Sequence, residues 1–141
     1  MLRPSARILA AVDDLPLRPG MRVLEVGCGP GSAAREVALR LGDGGFVLGI
    51  DRSAKAIAQA VALTEHWPGS AALRFRHVAA EDFELAEGEA PFDLAFALRV
   101  GALDGRHPEA GRRALGRLGA ALAPGARLFI DGGNPLREIR L

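Results

Sequence analysis

A short apolar strand runs directly into a glycine-rich turn in the stretch Val23-Leu24-Glu25-Val26-Gly27-Cys28-Gly29-Pro30-Gly31. Glycine occupies every second position of the turn, and the residues from Ser32 onward are typical of a helix. Glycine adopts backbone dihedral angles that are closed to other residues, and without a Cβ it lets a ligand lie against the main chain. The stretch therefore predicts a strand, a ligand-binding turn and a helix, in that order.

A second signal follows the turn. Asp51 ends the next apolar strand, twenty residues after Gly31. In α/β folds with a nucleotide site, an acid at this position accepts hydrogen bonds from ribose hydroxyls. Asp51 could instead cap the helix that follows, but Ser53 is already placed for that role. The two signals together predict a site for a nucleoside-containing ligand.

Length and composition indicate one ordinary globular domain. The chain has 141 residues, of which 49% are hydrophobic and 25% charged, enough for one core without disulfides or metals. We expect a single domain over 1–141, with an N-terminal helix within 1–17 and a short C-terminal tail at 133–141. No apolar run approaches the roughly 20 residues of a membrane span, and no leader pattern precedes the domain, so we expect a cytoplasmic protein without membrane contact.

The charge balance and the cysteine count exclude several partners. Lys and Arg number 18 and Asp and Glu 17, which gives a net charge of +1 with both signs interspersed. Such a chain has no long-range positive field, so nucleic acid is not an expected partner. Cys28 is the only cysteine, so disulfides within the chain and thiolate metal sites are excluded, and we expect no metal. No base is evident near Cys28, so we interpret it as a small space-filling residue and not as a nucleophile.

Apolar runs alternate with helical patterns along the chain. The predicted strands are 22–26, 46–50, 73–78, 92–98 and 127–130, and the predicted helices are 5–15, 32–41, 53–66 and 108–122. This alternation predicts an α/β fold, a single doubly wound, mostly parallel, Rossmann-like sheet of about five strands in the order 3-2-1-4-5, with helices on both faces. Ligands of such folds bind beyond the carboxyl ends of the strands.

Five segments carry a resemblance to a known family. They are the glycine-rich stretch 23–31, Gly49-Ile50-Asp51-Arg52-Ser53, Ala79-Ala80-Glu81-Asp82, Phe92-Asp93-Leu94-Ala95-Phe96-Ala97 and Leu122-Ala123-Pro124-Gly125-Ala126-Arg127-Leu128. Together they resemble the motifs of class I S-adenosylmethionine-dependent methyltransferases, and the likeness covers about 18–132. The resemblance implies an enzyme that transfers a methyl group from S-adenosyl-L-methionine to a small-molecule acceptor.

The resemblance also implies which residues hold the cofactor. The set is Glu25, Gly27, Cys28, Gly29, Gly31, Asp51, Arg52, Ala80 and Glu81. The glycines would lie along methionine and ribose, and Glu25 or its water shell would receive the ligand's amino group, unless it pairs with an arginine. Asp51 would take the ribose hydroxyls, Arg52 would pack against adenine, and the backbone at Ala80 and Glu81 would meet the ring edge. Many members have an acid at the position of Ala79, so adenine recognition here would rely on backbone groups or on Asp82.

The acceptor side is expected past strand four. Methyl transfer needs an aligned, dry pocket rather than a fixed set of catalytic residues, and a base only where the acceptor carries a proton. His107 and Asp104 are the candidates for proton handling. Arg99, a charged residue at the carboxyl end of a buried strand, is expected to contact the acceptor or the donor's carboxylate.

The chain is short for the resemblance. The family's usual sheet has seven strands, closed by an antiparallel pair after strand five, whereas about ten residues follow Ile130. Either this is a minimal five-stranded version, or a segment has been lost, or a partner subunit covers strand five. Residues 136–141 can add at most a short edge element. We expect a homodimer through the strand-five edge.

Two other functions remain open. An NAD-dependent oxidoreductase also begins with a glycine turn and a ribose acid, but its fingerprint requires glycine or alanine where this chain has Ser32. A methyltransferase-like binding module or subunit without activity is favoured by the absent strands and by Ala79.

Overall fold

The computed structural model describes residues 3–141, so Met1 and Leu2 of the predicted N-terminal segment lie outside the described part. In chain order the elements are α1 Ala6–Asp14, β1 Arg22–Val26, α2 Ser32–Leu41, β2 Phe46–Asp51, α3 Ala54–Thr64, β3 Ala72–His77, a 3-10 turn Ala80–Asp82, β4 Phe92–Ala97, α4 Pro108–Ala121, β5 Leu122–Asp131 and β6 Leu136–Ile139. Along residues 3–141 we find no helix with both the length and the hydropathy needed to cross a bilayer.

The strands form one sheet in the order β3-β2-β1-β4-β5-β6. The pairs among β1 to β5 are parallel, and β6 runs antiparallel to β5. The predicted fold class and the order 3-2-1-4-5 are therefore confirmed, with β3 as the expected edge strand. A parallel sheet of this order places the carboxyl ends of β1, β2 and β4 side by side. The order in which successive strands are added to the sheet reverses at this point.

The C-terminal segment forms the short edge element that the sequence allowed, and it adds a sixth strand to the expected five. Residues 136–139 form a sixth strand, and Leu136, which is 8% exposed, packs into the core. Leu128 pairs with Ile139, and an ion pair joins Arg127 Nη2 to Glu138 Oε1 at 2.7 Å. The chain's own β6 thus covers the edge of β5. The expected homodimer relied on that edge being free, so this basis for it is wrong.

Strand β5 is also longer than predicted. It begins at Leu122, directly after α4, rather than at residue 127. Its register against β4 shifts between Phe92 and Leu94, and Gly125 has a φ of 80°. The Pro124-Gly125 pair therefore makes a bulge inside the strand, because a glycine with positive φ lets the extra residues loop out without ending the pairing.

Serine caps fix two helix starts, as predicted. Ser5 Oγ accepts from the backbone N–H of Ile8 at 3.2 Å, and Ser53 Oγ accepts from that of Ala56 at 3.1 Å. The start of α2 is different, because its N-cap is Gly31, which has a φ of 88° and offers no side chain. In this first turn the backbone amide of Ala34 lies close enough to the Glu25 carboxyl to lower the pKa of that carboxyl.

Apolar side chains fill a core on each face of the sheet. One core joins α1 and α2 to alternate residues of the central strands: Val12, Val37, Leu41, Val23, Val47 and Phe96. The other joins α4 to the opposite set: Leu118, Ala114, Leu24, Val26, Leu48, Ile50 and Leu128. Burial on both faces leaves the carboxyl ends of the strands as the place for a polar site.

Candidate functional site

A cavity of about 530 Å³ lies at the carboxyl ends of β1, β2 and β4. Its lining comprises residues 26–27 after β1, 51–52 after β2, 78–81 after β3, 99–102 after β4, and Arg106, His107 and Ala110 at the start of α4. This volume lies in the range of small-molecule sites, about 300–1,000 Å³. The cavity therefore occupies the place where the sequence predicts a ligand.

The glycines of the turn differ in what surrounds them. A Cβ on Gly31 would lie 2.9 Å from Cζ of Phe75, so this glycine is required by packing. A Cβ on Gly29 would meet no atom within 4 Å, although the residue has a φ of 54°. Gly27 packs against Val100, whose Cγ2 would lie 2.5 Å from a Cβ there. A side chain at Gly29 would thus meet open space, and Gly29 borders the cavity through its hydrogen bond to Asp51 rather than by lining it.

Asp51 is held at the cavity wall by two main-chain amides. Its Oδ2 accepts from the N–H of Gly29 and its Oδ1 from the N–H of Ser53, each at 2.8 Å. A carboxylate oxygen has two acceptor positions, so each oxygen keeps one for a ligand. Asp51 therefore ties the glycine turn to the end of β2 while it lines the cavity, and the helix cap itself is Ser53.

Glu25 lies behind the turn in the core. Its side chain is 3% exposed, and its Oε1 has no hydrogen-bond partner among residues 3–141. Burial raises the pKa of the Glu25 carboxyl well above its ordinary value, with a smaller contribution from the charge of Asp51. Glu25 does not line the cavity, so the structure does not bring it together with the predicted cofactor residues at the wall.

Arg35 lies close enough to Glu25 to lower the pKa of that carboxyl slightly, but the two side chains form no hydrogen bond within residues 3–141. Instead Nη1 of Arg35 donates to the carbonyl of Pro30 at 2.8 Å and to Oγ1 of Thr64 at 3.3 Å. Arg35 thus anchors the glycine turn to α3. Sequence reasoning missed this residue, because its partner at position 64 is distant along the chain.

Cys28 is a packed thiol. It is 6% exposed, and a Cβ on Gly49 would lie 2.9 Å from its Cβ, so the cysteine fills the space over that glycine. Burial, with the nearby charges of Glu25 and Asp51, raises the pKa of the Cys28 thiol. A thiol so far from ionisation is a poor nucleophile. The structure agrees with the interpretation of Cys28 as a filler.

The segment after β3 forms the other side of the cavity. Ala79, Ala80 and Glu81 line it, and the exposed Arg52 lies across from them at the end of β2. Asp82 does not line the cavity, and its Oδ1 accepts from Nη2 of Arg113 at 3.0 Å. Recognition of a base on this side is therefore left to backbone groups.

The structure places the three candidate acceptor-side residues after β4 in different surroundings. Arg99 and His107 line the cavity, whereas Asp104 does not. Nε of Arg106 donates to both oxygens of Asp104, at 3.0 and 2.8 Å, and this hydrogen bonding lowers the pKa of the Asp104 carboxyl. An engaged, more acidic carboxylate is a weak base, so this geometry favours His107 over Asp104 for proton handling.

Arg99 has an unusual backbone. Its φ is 58°, and it is the non-glycine residue with positive φ in the described chain, 3–141. Such a conformation costs of order 1–3 kcal/mol and persists only where its surroundings impose it. The turn that follows is fixed, because the N–H groups of Leu103 and Asp104 both donate to the carbonyl of Val100, at 3.0 and 3.1 Å. Strain of this kind concentrates at ligand sites.

Across residues 3–141 no three His, Cys, Asp or Glu side chains gather into a metal-binding group. The sheet order defines the chain as a Rossmann-like α/β protein, and its carboxylate at the end of β2 has the position that a ribose-binding acid takes in such folds.

Comparison with known proteins identifies the family. The family described as "Methyltransferase domain" matches residues 23–125, which is more than half of the chain. The chain therefore belongs to this family, the class I S-adenosylmethionine-dependent methyltransferases.

Relatives and solved structures give the same picture. The chain is 34% identical to trans-aconitate 2-methyltransferase of Delftia acidovorans over 92% of its length and 43% of the relative's. It is 32% identical to protein-L-isoaspartate O-methyltransferase 1 of Arabidopsis thaliana over 89% of its length and 51% of the relative's. A TehB-like S-adenosylmethionine-dependent methyltransferase from Corynebacterium glutamicum superposes with a TM-score of 0.64 at 25% identity, covering 93% of this chain and 66% of that one. The chain thus spans about half, or less, of these two curated relatives.

Proposed function

We propose that this chain binds S-adenosylmethionine in the cavity at the ends of β1, β2 and β4 and transfers its methyl group to a small-molecule acceptor. The observation that carries the proposal is the Gly29–Asp51 pair, in which an open backbone position lies 2.8 Å from a carboxylate that retains free acceptor sites. An open main chain beside an oriented carboxylate suits a ribose with its two hydroxyls.

The surrounding residues fit the rest of the cofactor. Gly27 and Gly31 hold the turn in shape, and the backbone at Ala80 and Glu81 offers the groups that an adenine edge needs. The exposed guanidinium of Arg52 is placed to stack on the ring. The unpartnered Oε1 of Glu25 supports a role toward the ammonium group, reached through the turn or through a water molecule.

S-adenosylmethionine supplies, when bound, a methyl group on a positively charged sulfur. An electron pair of the acceptor atom forms the new bond to carbon, the pair of the broken carbon–sulfur bond stays on sulfur, and any proton on the acceptor atom leaves. The protein's part is to align these atoms and exclude water. His107 lines the acceptor side of the cavity, and its imidazole is the group that we propose as the acceptor of that proton.

A small acceptor suits the cavity, because its volume must also hold the cofactor. The relatives' names point the same way in part, since trans-aconitate is a small molecule. The other relative is named for isoaspartate in protein, so the names alone leave the acceptor open.

Calorimetric titration with S-adenosylmethionine, its demethylated product S-adenosylhomocysteine and NAD tests the proposal. We expect the first two to bind at one site per chain and NAD not to bind. Binding of NAD alone would refute the proposal in favour of an oxidoreductase. Binding of both adenosyl ligands without turnover on a broad acceptor panel would favour the inactive binding module.

A further inference from the structure

The part of the cavity beyond β4 carries positive charge. Arg99, Arg106 and His107 line it, and we call these three residues the basic wall. The acidic residues among those that line the cavity, Asp51 and Glu81, lie after β2 and β3 instead. The two ends of the cavity thus differ in charge, and the end without acids faces the space left for the acceptor.

Arg99 is the uncompensated cation of the wall. Within the described residues 3–141 its guanidinium makes no ion pair, whereas Arg76, Arg113, Arg117 and Arg127 each pair with a carboxylate. Its φ of 58° and the fixed turn at Val100 hold its position at the end of β4. A guanidinium at a cavity wall without a protein carboxylate is a binding group for an anion.

Arg106 and His107 converge beside it over Gly101. A Cβ built on Gly101 would lie 3.2 Å from Nη2 of Arg106 and 3.0 Å from Cδ2 of His107. The charge of Arg106 is largely compensated, because its Nε is bonded to Asp104 and the carboxylate of Asp131 also acts on it. The wall therefore has one free positive charge, on Arg99, flanked by further N–H donors.

We propose that the methyl acceptor carries a carboxylate and that Arg99 binds it, with Arg106 and His107 beside it. The inference rests on the proposed function and specifies its acceptor class. A guanidinium binds a planar carboxylate through two parallel N–H···O bonds, and the exposure of Arg99 leaves its N–H groups open to such a ligand. A cationic donor in the same cavity adds to this preference, because it repels a cationic acceptor and attracts an anionic one.

A carboxylate fits the wall better than a phosphate does. A phosphate group near neutral pH carries more than one negative charge and presents three acceptor oxygens, so it usually meets several free cations or a cluster of amides. Here one guanidinium is uncompensated. The charges of the wall and of a single carboxylate therefore match.

The test compares acids with their neutral amides on the S-adenosylhomocysteine-loaded protein. The probes are succinate, citrate and benzoate, each beside its amide, together with inorganic phosphate and ethanolamine. Binding is measured by ligand-observed NMR and calorimetry on the wild type and on Arg99→Gln, Arg99→Lys and Arg74→Gln. Arg74 is exposed on β3, outside the cavity, and serves as the matched control. Thermal unfolding checks that each variant is folded.

We expect at least one acid to bind tenfold or more tightly than its amide, and Arg99→Gln to abolish that difference. Arg99→Lys should retain part of it, and Arg74→Gln all of it. S-adenosylhomocysteine should bind Arg99→Gln within threefold of the wild type. Once an acceptor is found among acids of this class, Arg99→Gln should raise its KM at least tenfold and change kcat little.

Several results would overturn the inference. These are amides binding as well as acids, phosphate or ethanolamine binding more tightly than every acid, and Arg99→Gln leaving acid binding unchanged. A tenfold loss of S-adenosylhomocysteine affinity in Arg99→Gln would assign Arg99 to the donor's own carboxylate instead. Failure of the wild type to bind S-adenosylhomocysteine removes the proposed function and this inference together, whereas normal binding of it with no acid preference removes this inference alone.

Discussion

At the scale of single residues, the site combines a carboxylate that is held in place with one that is buried. Asp51 faces the cavity and accepts two main-chain hydrogen bonds, while Glu25 lies in the core with an unpartnered oxygen. Burial disfavours the ionised form of the Glu25 carboxyl, whereas Asp51 holds two main-chain amides in place. Substitution at the two positions should therefore have opposite effects on the free protein.

Replacing Asp51 by alanine should weaken S-adenosylhomocysteine binding by about 1.5–3 kcal/mol, the range for hydrogen bonds to a charged group. The variant also frees the N–H groups of Gly29 and Ser53, so its unfolding midpoint should fall somewhat. Calorimetry measures the first effect and circular dichroism the second. Asp43→Ala, at an exposed turn residue, is the control. Equal affinity in the two variants would exclude Asp51 from the site.

Replacing Glu25 by glutamine should stabilise the free protein near neutral pH. The folded state holds the Glu25 proton more tightly than the unfolded state, whose ordinary value is 4.5. The stabilisation due to this proton is complete below that value and is lost as pH rises through the raised pKa. Thermal unfolding from pH 4 to 8 should thus show that the stability of Glu25→Gln relative to the wild type increases as pH rises.

The same Glu25→Gln variant should bind S-adenosylmethionine more weakly, because glutamine cannot ionise to balance the ligand's ammonium group as the Glu25 carboxyl can. Glu87→Gln, at an exposed position, should follow the wild type in both measurements. A pH dependence of Glu25→Gln parallel to that of the wild type would contradict the raised pKa.

At the scale of elements, the glycines of the strand–turn–helix unit differ in what a side chain would meet at each position. Gly31 is required by its contact with Phe75, and Gly29 borders open space. Both have positive φ, so a side chain at either position adds backbone strain. At Gly29 the new methyl group would enter open space next to Asp51, where we propose that the ligand lies.

Gly29→Ala should therefore fold and yet lose most of its S-adenosylhomocysteine affinity, at least tenfold. Gly20→Ala controls for the strain, since Gly20 has a φ of 80° and no atom within 4 Å of a built Cβ but, unlike Gly29, is not bonded to the cavity residue Asp51. Both variants should be destabilised by about 1 kcal/mol or more. Gly31→Ala should be destabilised further, because its Cβ meets Phe75. Unchanged affinity in Gly29→Ala would contradict the open-turn site.

Local signals predicted these elements well. The serine caps, the alternation of β3 and the glycine spacing each act within a few residues, and the structure confirms the elements that they indicate. The bulge in β5 was not predicted, because Pro124-Gly125 signals a turn whether the pairing ends or continues around it. The bond between Asp104 and Arg106 was not predicted, because it depends on the fold of the loop, which the spacing of two residues does not reveal.

At the scale of the whole molecule, the sheet is closed on one side by the hairpin of β5 and β6. This pairing covers main-chain groups of residues 128–131 that would otherwise form an open edge. Unpaired edges bind other strands and promote aggregation. The sequence indicated only a short edge element here, because strand pairing depends on a neighbour that spacing alone does not identify.

Removing residues 133–141 should lower the unfolding midpoint and increase aggregation, because the edge of β5 is exposed and the contacts of Leu136 are lost. Removing only residues 140–141, which lie beyond β6, is the control and should have little effect. Light scattering during heating, together with sedimentation velocity, distinguishes the two proteins. A longer deletion that remained as stable and monomeric as the control would show that β6 contributes little.

The two amides that grip Asp51 have a consequence for the thermodynamics of recognition. Because the Asp51 side chain is already held by two hydrogen bonds in the free protein, it loses little conformational entropy when the sugar binds. Ordering a mobile side chain would cost about 0.5–1.5 kcal/mol. This part of the cavity wall is thus ordered before binding. The unfavourable conformational entropy of complex formation should therefore come mainly from the nucleoside and not from the protein.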